Sequence, residues 1–334
     1  MSQNSVLKNI LSFILRFGLS AALLIWLYTK IDVPKTGEVI KNADVYYLLV
    51  AFGIFLVINF VLLLRWFIYV RGLKLRAPFG LVTRYFFIGL FGNLFLPSAI
   101  GGDIIKIYGL CKSSDEKPKV VASVLLDRLS GFASIVIVAV LAYIFAANLL
   151  DNKAILFSII ALALLSIHTA VVLFNEKVYS FYCRVFGFWP KLQKSLMQMH
   201  YDIALLKGDY KPVYQSVGLS CLNQVMLAFQ FYFTAKALHV DVAIQYWLIF
   251  VPLICVAATV PSIGGLGVRE FGVKTLLGLV GIEAGVAVSI SLLSFIFMVL
   301  VGLIGGVVYV TSLSAGRIQY HEPNAGADPE EAGG

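Results

Sequence analysis

Charged residues are scarce in this chain. Lysine, arginine, aspartate and glutamate make up 13% of its 334 residues, whereas about 25% is typical of soluble domains. Hydrophobic residues make up 60%, and the mean hydropathy is +0.90. Apolar runs of roughly 20 residues, the length that spans a bilayer, recur along nearly the whole chain. The composition therefore predicts one polytopic membrane domain and leaves no room for a sizeable soluble one.

Cysteine and histidine are also few. The chain has four of each, and they lie far apart, without the paired spacing of a metal site or a redox motif. The glycine motifs that bind nucleotides lack their usual context as well. We therefore predict no metal, no cofactor and no nucleic-acid partner. Basic loops that contact anionic lipid head groups account for the net charge of +8.

Two short breaks interrupt the apolar runs and resemble each other. Their helix-breaking residues are Pro97, Gly101 and Gly102 in the first, and Pro261, Gly264, Gly265 and Gly267 in the second. Proline lacks an amide hydrogen and glycine favours irregular backbone, so a helix should end at each break. A broken helix at membrane depth is tolerated only where it packs in protein or lines a cavity. Paired breaks in corresponding halves of a chain point to a transport site.

The apolar runs and the two breaks together divide the chain into eight hydrophobic segments. We predict an all-α polytopic membrane protein with six full transmembrane helices, at about 10–29, 46–64, 120–148, 154–174, 213–236 and 284–312. The remaining segments, 79–111 and 243–281, contain the breaks and are predicted to be re-entrant hairpins. The transmembrane domain would cover 1–315. Residues 316–334 are rich in glycine, proline and acid and are predicted to form a disordered cytoplasmic tail.

The placement of lysine and arginine predicts the orientation. The segments 65–84, 106–119 and 175–212 carry fifteen of these cations, and the segments 30–45, 149–153 and 237–242 carry four. All three basic segments reach the cytoplasm only if the two hairpins enter the membrane from opposite sides. Both termini then lie in the cytoplasm, and the two halves form an inverted repeat. The alternative is that each hairpin arm spans the bilayer fully.

Seven charged residues lie beside the breaks or inside apolar spans, and we predict that they bind the substrate. They are Arg65, Asp103, Lys106, Asp127, Arg128, Arg269 and Glu270. Charges at membrane depth are costly unless they are paired or hydrated. Asp103 and Lys106 are three residues apart and share a helical face. Asp127 and Arg128 are adjacent on a helix, so each must find another partner.

Two interpretations of these charges remain open. They either neutralise one another to hold the fold, or line a polar cavity that receives a lipid head group. For Arg65, the first interpretation is an interfacial anchor whose side chain snorkels. In the second, Arg128 and Arg269 would contact phosphate, because a guanidinium donates two parallel hydrogen bonds. Amides at the half-helix starts after Gly102 and Gly267 would also attract an anion.

Amide side chains inside the apolar runs are a further feature. They are Asn59, Asn93, Asn223 and Gln224. Such residues more often join membrane helices to one another than bind a substrate. We therefore predict that they hold neighbouring helices together.

The combined motifs resemble the flippase-like membrane domain of lysylphosphatidylglycerol synthetases, over roughly residues 5–315. The matching motifs are Arg65-Trp66, Pro97 to Asp103, Asp127-Arg128 and Pro261 to Glu270. Relatives with this domain alone include proteins linked to hopanoid or polyprenyl-glycolipid pathways. The family usually has glutamate at the position of Asp127. The resemblance implies lipid translocation without aminoacyl transfer, since residues 316–334 are too few for the soluble transferase domain.

We therefore expect a translocator rather than an enzyme. It would move an amphiphilic lipid (a phospholipid, hopanoid or polyprenyl-linked glycolipid) between the leaflets of the cytoplasmic, or inner, membrane through a polar midplane cavity. One alternative is a membrane-embedded enzyme of lipid or polyprenyl-glycan modification, whose carboxylates would do acid–base work. Another is a scaffold for lipid synthesis. Membrane lipids are the expected partners, and lipid-synthesis enzymes and a second copy of the chain are further candidates.

Overall fold

The computed structural model describes residues 33–95, 101–146, 153–174, 209–258 and 267–318. Within these ranges all regular secondary structure is helical, which confirms the all-α prediction. In chain order the helices are α1 (Val33–Lys41), α2 (Val45–Gly72), α3 (Phe79–Phe95), α4 (Gly101–Cys111), α5 (Lys117–Ala146), α6 (Lys153–Phe174), α7 (Lys211–Ala237), α8 (Ile244–Ala257), α9 (Val268–Gly278) and α10 (Ala284–Ile318).

Three of the described helices, α2, α5 and α10, are long and apolar enough to cross a membrane. They have 28, 30 and 35 residues, and at about 1.5 Å per residue each exceeds the roughly 30 Å of a hydrocarbon core. They match the predicted spans 46–64, 120–148 and 284–312, and α6 and α7 match two more. The predicted span at 10–29 lies outside the described residues. So do most of the 175–212 loop and the tail beyond Ile318.

Helices α3 and α4 form the first hairpin. The Gly102 amide donates to Asn93 Oδ1 at 2.7 Å beside the break, and farther along Gly109 faces the Tyr85 ring. This order of contacts makes the two helices antiparallel. Helix α4 has 11 residues, and a length of about 16 Å is too short to span a bilayer. The alternative in which each arm spans fully is therefore wrong for α4.

Helices α8 and α9 form the second hairpin in the same way. Gly272 in α9 faces Ala257 and Ile254 in α8, and α9 again has 11 residues. Gly101 and Gly102 are the first two residues of α4, and Gly267 is the N-cap of α9 with a φ of 85°, a conformation that glycine adopts readily. The other predicted break residues, Pro97, Pro261, Gly264 and Gly265, lie outside the described residues.

The helices α2–α5 and α7–α10 are two copies of one unit. Helix α3 begins at Phe79 and α8 at Ile244, 165 positions later. After the breaks the separation is 167 positions: α4 and α9 correspond from end to end, and α5 and α10 begin at Lys117 and Ala284. The packing also corresponds, since α3 packs on α10 as α8 does on α5, and α4 packs on α5 as α9 does on α10.

The C-terminal caps of α2 and α7 show the same correspondence. Lys74 has a φ of 58° and His239, 165 positions later, has a φ of 60°. Both residues are in the left-handed conformation that closes many helices. In each cap an amide just after the helix donates to a carbonyl five residues earlier at 3.0 Å, from Leu75 after α2 and from Val240 after α7.

The two units are inverted with respect to each other. Helices α2 and α7 are antiparallel, because the Asp44 amide donates to Ala237 O at 2.8 Å at one end and Arg65 Nη1 donates to Ser220 Oγ at 3.1 Å toward the other. Equivalent helices that run in opposite directions require a twofold axis perpendicular to them. For helices that cross a bilayer, this axis lies in the membrane plane, as in many transporters. The predicted inverted repeat is therefore confirmed.

The contacts of the two hairpins with the opposite unit differ in tightness. A Cβ at Gly305 in α10 would lie 2.0 Å from the Phe87 carbonyl oxygen in α3, so only glycine permits this approach. The equivalent residue in α5 is Val138. There, α5, α7 and α8 leave an apolar cavity of about 200 Å³. The first hairpin is thus packed more closely than the second.

Candidate functional site

A buried ion pair joins α2 to α5. Arg65 Nε donates to Asp127 Oδ1 at 2.6 Å, and their side chains are 9% and 6% exposed. The same guanidinium reaches Ser220 in α7, and Gly131 leaves it room, because a Cβ there would lie 3.3 Å from Nη1. The snorkelling interpretation of Arg65 is therefore wrong, because the side chain pairs with buried Asp127 and is itself buried.

A second group of charges surrounds Asp103 at the start of α4. Lys106 Nζ lies 3.4 Å from Asp103 Oδ1, as their spacing predicted. The other carboxylate oxygen, Oδ2, accepts a hydrogen bond from Arg128 Nε. Asp103 is buried, whereas the Arg128 side chain is 39% exposed. Asp127 and Arg128 therefore have separate partners, as predicted for adjacent residues on one helix.

The ammonium group of Lys106 lies between two aromatic rings. Its Nζ is 5.2 Å from the Trp66 ring centroid and 5.0 Å from that of Phe86, which is within the range of cation–π attraction. Trp66 is held in place because its Nε1 donates to Ser123 Oγ at 3.2 Å. Lys106 thus has favourable surroundings although it is buried.

The second repeat has one ion pair near the start of α9. Glu270 is fully buried, and its Oε1 accepts from Arg269 Nη2 at 2.6 Å and from Ser291 Oγ at 2.9 Å. Its Oε2 accepts from the Gly267 amide at 2.6 Å. Arg269 also donates to Ser291 and stacks over the Phe295 ring at 5.4 Å. Glu270 is equivalent to Asp103, because both are the third residue of an 11-residue half-helix.

The position equivalent to the Arg65–Asp127 ion pair is neutral in the second repeat. Adding 165 to Arg65 gives Gln230, and adding 167 to Asp127 gives Ser294. Gln230 Nε2 donates to Ser294 Oγ at 3.1 Å, so a neutral hydrogen bond takes the place of an ion pair. Neither residue is among the predicted site residues. The available signal was a polar residue inside an apolar span, read together with the repeat offset.

Two amides at the starts of the half-helices, those of Gly102 and Gly267, are already bonded. Asn93 accepts from the Gly102 amide and Glu270 from the Gly267 amide. The Gly102 and Gly267 amides are therefore not available to an anion in this conformation, and the prediction that amides at these half-helix starts attract an anion stays a prediction.

Asn93 joins α3 to α4, and Gln224 Oε1 in α7 lies 3.9 Å from Cys255 Sγ in α8. Asn93 and Gln224 hold neighbouring helices together, as predicted, whereas Asn59 donates to the Phe55 carbonyl of its own helix at 2.8 Å.

The structure brings five of the seven predicted residues together in the first repeat and two in the second. Among the described residues, the first repeat brings together three cations (Arg65, Lys106 and Arg128) and two carboxylates (Asp103 and Asp127), an excess of one positive charge. In the second repeat, the charges of Arg269 and Glu270 balance each other. The group in the first repeat can therefore attract an anion, and Arg128 is its most exposed member.

These features define a polytopic helical membrane protein with two broken-helix hairpins and an internal inverted repeat. The family described as the lysylphosphatidylglycerol synthase TM region matches residues 13–306, and the chain belongs to this family. The chain is also 23% identical over 314 residues to a UPF0104 membrane protein of Pyrococcus horikoshii, covering 86% of this chain and 92% of that protein. The resemblance drawn from the motifs is confirmed. The chain is a membrane protein, and its family links it to lipid metabolism.

Proposed function

We propose that this protein moves an amphiphilic lipid with an anionic head group between the leaflets of the cytoplasmic membrane, without changing it chemically. The observation that carries the proposal is the excess positive charge of the first repeat inside an apolar helical domain. Ionisable residues within membrane segments are costly and usually mark a substrate pathway. A phospholipid or a polyprenyl-linked glycolipid, both of which carry phosphate, suits this charge better than a neutral hopanoid.

The inverted repeat supports a mechanism of alternating access. In such folds two equivalent units exchange conformations about a site near the midplane, which opens to each side in turn. The head group would pass through the polar interior while the tails stay in the bilayer, which avoids most of the desolvation penalty. We propose that the two breaks approach each other at this midplane site.

Arg128 is the proposed phosphate contact, and its replacement tests the function. Arg128→Ala should abolish translocation of a fluorescent phospholipid in proteoliposomes but leave folding largely intact, because this side chain is 39% exposed. Arg128→Lys should retain part of the rate, since lysine keeps the charge and loses the bidentate fork. Arg71→Ala, at an exposed arginine beside Phe67, is the matched control and should translocate normally.

Two outcomes of the Arg128 experiment would contradict the proposal. A folded Arg128→Ala protein that moves lipid at the wild-type rate would remove this arginine from the pathway. Chemical conversion of the lipid by the purified wild-type protein would favour the membrane-embedded enzyme instead.

The proposed orientation has both termini and the 175–212 loop in the cytoplasm and the 30–45 loop outside. The bias of lysine and arginine toward three segments supports it. Single cysteines introduced at Lys35 and Lys194, with the native cysteines replaced, should differ in labelling by an impermeant maleimide on intact cells. Only the cysteine at position 35 should react. Labelling of the cysteine at position 194 from outside would reverse the orientation.

A further inference from the structure

Gln230 occupies in the second repeat the place that Arg65 has in the first, and it is fully enclosed. Its amide nitrogen donates two hydrogen bonds, to Thr234 Oγ1 at 2.9 Å and to Ser294 Oγ at 3.1 Å. These two bonds use both hydrogens of the amide group. These two hydrogen bonds from Nε2 therefore fix the orientation of the Gln230 amide group.

In this arrangement the two hydroxyl groups do not donate to the amide oxygen. Thr234 Oγ1 donates its hydrogen to the main-chain carbonyl oxygen of Gln230 at 2.9 Å. Ser294 Oγ donates its hydrogen to the main-chain carbonyl oxygen of Ile290 at 3.0 Å. Each hydroxyl has one hydrogen, so each can only accept from Gln230. The amide oxygen consequently faces away from them, and within the described ranges no donor reaches it. A buried oxygen without a donor is rare enough in folded proteins to require an explanation.

Besides Ser216 Oγ near the start of α7, two more buried polar atoms in or beside this helix lack partners among the described residues. Asn223 Oδ1 is an acceptor seven residues before Gln230, hence two turns away on the same face of α7. Trp247 Nε1 is a donor in α8, and its ring stacks on Phe231 at 5.9 Å. All of these atoms are neutral. This region therefore offers neutral hydrogen-bonding groups where the first repeat offers charges.

We propose that Gln230 Oε1 accepts a hydrogen bond from a hydroxyl group of the lipid head group, such as its glycerol or sugar portion. This inference rests on the proposed function and names the class of head group: phosphate in the first repeat and a polyol in the second. A metal ion fits less well, because hard cations take several oxygen ligands and the two neighbouring hydroxyls face the amide nitrogen. Phosphate fits less well because an amide oxygen offers it no hydrogen.

Access to Gln230 requires a change of conformation. The residue is enclosed by α7 and α10 in this conformation, whereas the equivalent first-repeat group includes the partly exposed Arg128. In an inverted repeat, the two units exchange such conformations during a cycle. The second hairpin is also the less tightly packed of the two, since the cavity beside Val138 lies against α8.

The test compares two lipids that differ only in the polyol. The purified full chain in detergent is titrated with phosphatidylglycerol and with phosphatidylpropanol of identical acyl chains, a phosphodiester of the same charge that lacks the two head-group hydroxyls. Binding is measured by native mass spectrometry. The wild type should bind phosphatidylglycerol about fivefold more tightly, the ratio that one hydrogen bond produces. Gln230→Met should bind both lipids equally. Gln224→Met, at another buried amide of α7, should keep the preference.

Each other outcome has a defined meaning. An unchanged preference in Gln230→Met would show that the oxygen binds only water, and a parallel loss of both lipids would make its role structural; either result overturns the inference. Competition by free glycerol would identify a soluble polyol and also overturn it. If wild type binds neither lipid, the proposed function itself fails. If Gln230→Met does not fold, Ser294→Ala should weaken the preference because it loosens the amide, and an unchanged preference again overturns the inference.

Discussion

The two repeats share one backbone plan but differ in charge. In the first repeat, Arg65 and Asp127 form an ion pair at 2.6 Å. At the equivalent positions of the second, Gln230 and Ser294 form a neutral hydrogen bond at 3.1 Å. Both pairs join equivalent helices, so this fold accommodates either kind of pair at this position. We therefore expect that the ion pair of the first repeat can be replaced by the neutral pair.

The acids at the half-helix starts differ in a related way. Asp103 binds an arginine from another helix, α5, and Glu270 binds the arginine beside it. The α5 position that supplies Arg128 corresponds in α10 to Phe295, on which Arg269 stacks. Glu270 accepts hydrogen bonds from three donors, whereas Arg128, one of the two partners of Asp103, is partly exposed. The second site therefore resembles a structural pair, and the first can still exchange partners.

The largest effect is expected from breaking the ion pair of the first repeat. Asp127→Ser and Arg65→Gln should each destabilise the protein by about 3–5 kcal/mol, because each leaves a buried charge without its partner. The double variant installs the pair of the second repeat and should recover most of this loss. Unfolding by SDS in mixed micelles measures the cycle. A double variant as unstable as either single one would mean that the two positions are not equivalent.

A control for this cycle is the exposed pair Lys236–Asp241, in which the aspartate side chain is 83% exposed. Lys236→Ala should leave the unfolding midpoint unchanged, since exposed ion pairs contribute little.

An intermediate effect is expected from neutralising the two equivalent acids. Glu270→Gln should cost about 3–5 kcal/mol, because it leaves Arg269 enclosed without a counter-charge. Asp103→Asn should cost less, about 1–3 kcal/mol, because the 39% exposed Arg128 side chain can turn to solvent or lipid. The buried Lys106 keeps its contacts with the Trp66 and Phe86 rings. Melting temperatures in one detergent give the order. A larger loss for Asp103→Asn would reverse the structural ranking of the two sites.

The Glu270→Gln variant also tests whether Arg269 only pairs with Glu270 or contacts the lipid head group. Arg269→Ala alone would leave Glu270 unpaired, so its instability would conceal any role in transport. Arg269→Ala combined with Glu270→Gln removes both charges. If the double variant is stable and inactive, Arg269 is a second head-group contact; if it moves lipid normally, Arg269 is only structural.

The smallest effect is expected at the left-handed caps. Lys74→Gly and His239→Gly should each stabilise the protein, by at most about 1 kcal/mol, since glycine adopts this conformation without the steric cost of a side chain. The two gains should be equal if the caps are equivalent. Differential scanning fluorimetry can compare them, and a loss at one cap alone would show that its side chain makes a stabilising contact.

Much of this architecture could be predicted from the sequence. The apolar runs predicted α2, α5 and α10, because only helices satisfy their own backbone hydrogen bonds in lipid. Glycine and proline predicted the ends of the half-helices, and the charge bias predicted an inverted repeat. The seven charges were identified because charged residues are rare at membrane depth. Gln230 and Ser294 were missed because neutral polar residues are common between membrane helices.

The sequence by itself determined the helices, their breaks and the residues that need partners, since these depend on local composition and on the length of each run. The tertiary structure alone decided which partners meet. Asp127 lies next to Arg128 in the chain but pairs with Arg65, 62 positions away. Adjacent side chains on a helix point in different directions, so each pairing depends on which helix packs beside it. That packing arises from the whole bundle, and no short segment of sequence contains it.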